Sequence, residues 1–169
     1  MSETKGAPRA RSVDDAQLWH QIVIAVPDLC FGKTLARFTE QLLGDPALNV
    51  RQVVVASIEG AGDPDRGVTQ LRCGRISIPE LLSRLLYSEQ LDWGNLFFFD
   101  DVNDSAVERI CGEFSLSQAI AISSIAIRIV DDSEIHVFTR NDRVQRSLTD
   151  RFANTRARTG PLGSLEFPN

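Results

Sequence analysis

Several broad classes of protein declare themselves by features this sequence lacks. No apolar stretch approaches the ~18 residues of a membrane-spanning helix. The opening MSETKGAPRARSVDD has no apolar core of the kind a secretory leader carries. Histidine is limited to His20 and His136, and cysteine to Cys30, Cys73 and Cys111, with no two of them close together. Zinc sites are built from close-spaced Cys and His pairs, so the pattern argues against zinc. Odd in number and scattered, the cysteines read as reduced thiols, mostly in the core of a cytoplasmic protein. No internal repeat is present.

What is there is one domain's worth of chain. The 169 residues, 43% hydrophobic and 24% charged, are enough to bury one sizeable core. Charge divides by region. Between residues 17 and 139 there are 9 Lys and Arg against 17 Asp and Glu, whereas residues 140–158 hold six arginines against Asp142 and Asp150. An acidic body disfavours nucleic acid, whose phosphates must be met by clustered cations. It suits a basic protein partner, although surplus surface charge also serves solubility.

Along the chain, residues 1–16 read as a disordered polar tail, 17–153 as a single α/β domain and 154–169 as a flexible tail. LWHQIVIAV is a first strand, apolar enough to be buried on both faces. A helix follows from Asp28 to Gly44, then a strand at residues 49–59, a loop, and a third strand in VTQLRCGRI. Ser77 with Glu80 and Pro79 opens a helix in IPELLSRLLYSEQL. WGNLFFF is the next strand, followed by a short helix opened by Ser105 and Glu108. IAIRIVDDSEIHVFT alternates on both sides of an Asp-rich turn and reads as a hairpin. Asn141 caps a last helix with Val144, Leu148 and Phe152 on one face. Alternating strands and helices predict parallel crossovers early in the chain, so the fold class is α/β with a central mixed sheet, a C-terminal antiparallel hairpin and packed helices. The GPLGS near the end looks like a cloning remnant.

Gly32-Lys33-Thr34, with the distant LFFFDD, raises the question of a P-loop. That motif wraps phosphates in glycine backbone N–H groups. Here Pro27, which has no N–H, stands at the first glycine position, and Asp28 would repel a phosphate. Phe31, Leu35, Phe38 and Leu42 recur at helical spacing, which places Gly32 and Lys33 inside a helix that binds no nucleotide. A degenerate P-loop protein is the second alternative to the main reading. Asp100, Asp101 and Asp104 could hold magnesium, but no phosphate-binding residues accompany them. A Cys–His nucleophile pair has no local marker. No catalytic residue, cofactor or metal site is predicted.

The segment LDWGNLFFFDD, followed by AIRIVDDSEIHVFTRND, resembles small bacterial α/β immunity-type proteins, over residues 91–142. That resemblance implies a cytoplasmic, non-catalytic protein that neutralises a toxin by tight binding. Its partner-binding residues would be the acidic and aromatic side chains at strand ends: Asp92, Trp93, Asp100, Asp101, Asp104, Asp131, Asp132 and Glu134. Adjacent strand exits would gather the acids into one negative rim facing a basic protein, with no role for nucleic acid or membrane. The alternative is a regulatory or scaffold subunit of a bacterial assembly, making contact through Arg140, Arg143, Arg146, Arg151, Arg156 and Arg158.

Overall fold

A computed structural model describes residues 17–26 and 28–168; the tail expected over residues 1–16 lies outside them. Seven strands form one sheet in the order β3-β2-β4-β5-β6-β1-β7. They are β1 (Leu18–Ile24), β2 (Gln52–Gly62), β3 (Gly74–Ser77), β4 (Ser88–Phe99), β5 (Ile125–Val130), β6 (Glu134–Thr139) and β7 (Thr155–Pro161). Five helices pack on it: α1 (Gly32–Leu43), α2 (Ile78–Leu86), α3 (Asp104–Gly112), α4 (Leu116–Ile122) and α5 (Asp142–Arg151). The protein is a single mixed α/β domain, as the alternation of patterns implied. Among the described residues no helix is long and apolar enough to cross a membrane.

Alternate residues of each strand serve opposite faces. On one face Ile22, Val53, Phe98, Ile127 and Val137 pack with Leu35 and Phe38 of α1, Leu81 and Leu85 of α2, and Val144 and Leu148 of α5. On the other, Trp19, Val54, Phe97, Ala126 and Phe138 pack with Ile110 of α3, Ile120 of α4 and Leu165. Covering both faces is why the central strands read as unbroken apolar runs.

Every ladder is antiparallel, which corrects the expected parallel crossovers. The connections through α1, α2 and α5 do join strands of the same direction, whereas α3 and α4 lead from β4 to its antiparallel neighbour β5. However, β1 and β2 have β4, β5 and β6 between them, β3 and β4 have β2, and β6 and β7 have β1. Each intervening strand takes the hydrogen bonds a parallel partner would have made.

Three further expectations change. The 154–169 tail is structured: β7 pairs with β1 from Leu18↔Pro161 to Ile24↔Thr155, and Leu165 is buried. The GPLGS stretch therefore belongs to the fold. The helix expected to reach Leu91 stops at Leu86, and VTQLRCGRI contributes only the short β3 after a single 3-10 turn at Val68–Gln70. Last, Cys73 and Cys111 are joined in a disulfide, with Cα atoms 5.5 Å apart, so two of the three cysteines are not free thiols. The bond fastens the approach to edge strand β3 to the end of α3.

Helix starts follow the capping chemistry. Ser77 accepts from the Glu80 N–H, and Asn141 accepts from the N–H groups of Arg143 and Val144. The cap of α3 is Asn103 rather than Ser105. Helix α1 begins later than expected, at Gly32, with Asp28 in a left-handed turn ahead of it (φ 67°).

Candidate functional site

The β5–β6 hairpin closes through Asp131 and Asp132, both left-handed (φ 49° and 50°), the signature of a type I′ turn. Asp tolerates that region better than most residues, so the turn chemistry alone calls for both. The turn lies against the start of β4. The Asp132 N–H donates to the Asp92 carbonyl at 2.9 Å, while Gln90 Nε2 donates to Asp132 Oδ2 at 2.5 Å and to Asp92 Oδ1 at 3.4 Å. The loop before α1 joins the same corner, where the Leu91 N–H donates to the Cys30 carbonyl at 3.0 Å. Asp28, Cys30, Phe31, Gln90 and Asp132 line a shallow depression of about 260 Å³. Phe31, at 42% exposure, is its apolar wall.

The carboxylates here are uncompensated. Among the described residues, Asp28, Asp92, Asp131 and Asp132 take part in no ion pair. Cys30, buried beneath them, has its thiol pushed up to about 11, first by burial and then by the charges of Asp132 and Asp92. It stays protonated near neutral pH and is a poor nucleophile.

The expected single rim is divided. Asp92 and the hairpin turn lie at one end of the sheet, while Asp100, Asp101 and Asp104 lie beyond the other end of β4. Eight residue steps of largely extended chain lead from Asp92 to Asp100, roughly 26 Å at the usual strand rise. At that far end Arg51 pairs with Asp100 (3.5 Å) and Arg75 with Asp104 (2.7 Å). Asp101 is exposed beside α3, along a depression lined also by Phe99, Asn103, Arg109, Phe114 and Ile122. Glu134 belongs to neither group: it is half-buried, 2.8 Å from Arg156 and 3.2 Å from His136. Trp93 is half-buried on the sheet face, its ring centroid 5.9 Å from the Arg128 guanidinium carbon. Asp28, Gln90 and Phe31 were missed in the sequence. The positive φ that turns Asp28 outward has no marker there, and Phe31 reads as part of the helix's apolar stripe.

Other chemistry can be placed as well. Gly32, Lys33 and Thr34 are the first three residues of α1. A Cβ on Gly32 would sit 2.1 Å from the carbonyl oxygens of both Leu85 and Ser88, so this glycine is required by close backbone approach. Two acceptor oxygens facing Gly32 would repel a phosphate. His20 lies between Thr159 (2.8 Å) and Asp142 (2.7 Å), a hydroxyl–imidazole–carboxylate chain like that of nucleophilic hydrolases. The Asp142 side chain is 77% exposed, so water dilutes its field on the ring. These contacts tie β7 and α5 to β1. Among the described residues no group of three or more His, Cys, Asp or Glu side chains is arranged to hold a metal ion.

Beneath the C-terminal segment lies a polar cluster that the sequence did not reveal. His136 is 2% exposed, and burial, partly offset by Glu134, holds its pKa below the ordinary 6.5. Gln21 Nε2 donates to His136 Nδ1 at 3.1 Å, which leaves the Nε2–H to donate to Glu134 at 3.2 Å. Burial also works against the charge of Arg128, though a guanidinium starts so far above neutrality that it stays cationic. Comparison with protein-family models, curated proteins and solved structures finds no match for this chain.

Proposed function

We propose that the chain is a non-catalytic protein-binding module of the toxin-immunity kind, which presents the hairpin end of its sheet to a basic protein. The observation that carries this reading is the unneutralised charge at that end. Asp28 and Asp132 flank an exposed phenylalanine, with the exposed Asp92 and Asp131 at the same end, while the carboxylates at the opposite end are largely spent on arginines. Uncompensated charge steers a basic partner during encounter, and an aromatic side chain at the centre supplies apolar contact once the surfaces meet.

The regulatory alternative draws less support, because its arginines are largely engaged within the chain. Arg143 pairs with Asp45, Arg156 with Glu134 and Arg158 with Glu166. Arg140 donates to Gln17 and the Ser123 carbonyl, and Arg151 to Gln41. A nucleotide-binding role meets the carbonyl wall around Gly32 described above. The cytoplasmic setting implied by the family resemblance sits poorly with an exposed disulfide, which persists mostly in oxidising compartments. We therefore place the working site in such a compartment. Alkylation of free thiols in intact source cells should leave Cys73 and Cys111 unlabelled.

The test of the function is capture from the source cell on the immobilised chain, followed by identification of what is retained. The proposal expects a basic protein that Asp131→Lys with Asp132→Lys no longer retains. An acidic partner, or a partner retained equally by that variant, would remove the acidic-end mechanism.

A further inference from the structure

After β7 the chain folds back over the sheet face that carries Arg128 and His136, and the manner of its docking is that of a bound peptide. Gln21, 1% exposed, takes the place of a neighbouring strand. Its Nε2 donates to the Glu166 carbonyl at 2.7 Å, and its Oε1 accepts from the Glu166 N–H at 3.0 Å. Both backbone groups of one residue are thus read by a single side-chain amide, whose remaining proton is fixed on His136. Phe167 stacks on Phe138 with centroids 5.6 Å apart and planes 11° from parallel. Leu165 is buried, and the Glu166 carboxylate meets Arg158 at 2.8 Å.

Arg128 is the part of this surface that the docked segment meets only with a neutral carbonyl. Its guanidinium donates to Asn95 Oδ1 at 3.0 Å and to the Pro168 carbonyl, both neutral acceptors. Its Nε is buried without an acceptor, and it makes no ion pair among the described residues. A half-buried guanidinium is matched best by an anionic oxygen pair, which fits its planar fork.

We propose that this face is a peptide-binding groove, filled in cis by residues 165–168, that accepts in trans an extended peptide bearing a carboxylate for Arg128. The backbone of one peptide residue would pair with Gln21, an aromatic side chain would lie on Phe138, and the carboxylate would engage Arg128. Arg158 at the rim adds to the preference for acidic over basic peptides. The groove is independent of the acidic hairpin end, and neither reading requires the other. Tethering gives the cis segment a high effective concentration, so a trans peptide competes only when it is abundant or better matched to Arg128.

The probe is a fluorescent, C-terminally amidated heptapeptide with the sequence of residues 163–169 but with Pro168→Asp, which supplies the carboxylate for Arg128, added to the full-length chain carrying Leu165→Ala and Phe167→Ala. Saturable anisotropy is expected, weakened at least about ten-fold when Arg128→Met is added, since a charge-assisted contact is then lost. No saturable binding by the folded double variant, or an affinity untouched by Arg128→Met, would overturn the proposal. A second measurement uses the unaltered chain, so that a folding defect decides nothing. Excess unlabelled peptide should accelerate hydrogen exchange at the Glu166 amide of the isotope-labelled protein, as the cis segment yields its place. Exchange that does not respond to millimolar peptide would also overturn the proposal.

Discussion

The two ends of the sheet carry the same residue type in similar density and differ in what surrounds it. At one end Asp28 and Asp132 flank Phe31, Asp92 and Asp131 lie at the same corner, and no arginine answers them among the described residues. At the other, Arg51 and Arg75 reach Asp100 and Asp104, and the disulfide braces α3 alongside. An acidic cluster in a sequence is therefore two different things once folded. One is charge kept free for an approaching molecule, and the other is a set of struts.

If the far end is structural, breaking its brace should cost stability and leave the hairpin end unaltered. Replacing Cys73 and Cys111 by serine releases a loop closed over a separation of 38 residues. Chain entropy alone sets the loss at about 4 kcal/mol, and it should be read from denaturant unfolding under oxidising conditions. A loss near zero would mean that the brace contributes little, and the contrast between the ends would weaken.

The hairpin end rests instead on backbone contact, and Gly32 tests that. Gly32→Ala places a methyl against the Leu85 and Ser88 carbonyls at the point where α1, α2 and the start of β4 converge. Overpacking of this kind costs about 2–3 kcal/mol, despite the better helix propensity of alanine. A neutral or stabilising substitution would show that the loop before α1 relaxes freely, and with it the position of Asp28 and Phe31.

A smaller effect sharpens the comparison from the middle of the sheet. His136 has its folded pKa below the ordinary value, mainly through burial. The unfolded chain therefore binds a proton that the folded chain refuses. The stability this represents is intact above the unfolded value of about 6.5 and is lost as pH falls below it. The slope contributed by one such group is at most ~1.4 kcal/mol per pH unit. His136→Gln should flatten the profile of stability against pH in that range, and an unchanged profile would mean that the ring titrates normally.

What was legible in the sequence follows from which signals are local. The hairpin was, because Ile125–Val130 and Glu134–Thr139 alternate around turn-forming aspartates. So were α2 and α5, because Ser77 and Asn141 are caps whose partners lie within three residues. Strand β7 was not, since TRARTGP is an edge strand with no apolar alternation. The start of β4 was hidden in Ser88, Glu89 and Gln90, which continue α2 in polarity but not in backbone. Antiparallel order depended on which strands were inserted between β1 and β2, and no local pattern records that. Of the candidate site, Asp92, Asp131 and Asp132 were visible, and Asp28 was not. Which acids would be neutralised was hidden as well, because Arg51, Arg75 and Arg156 meet their acids only through the folded sheet.

The two ends are compared most directly against the same partner. With the retained basic protein in hand, association rates are measured across ionic strength for the wild type, for Asp131→Lys with Asp132→Lys, and for Asp100→Lys with Asp101→Lys. Reversal at the hairpin end should slow association markedly at low salt. The difference should shrink as the screening length falls to ~8 Å near physiological ionic strength, while the far-end reversal changes the rate little. Equal slowing by both variants, or slowing by the far-end variant alone, would contradict this difference between the ends.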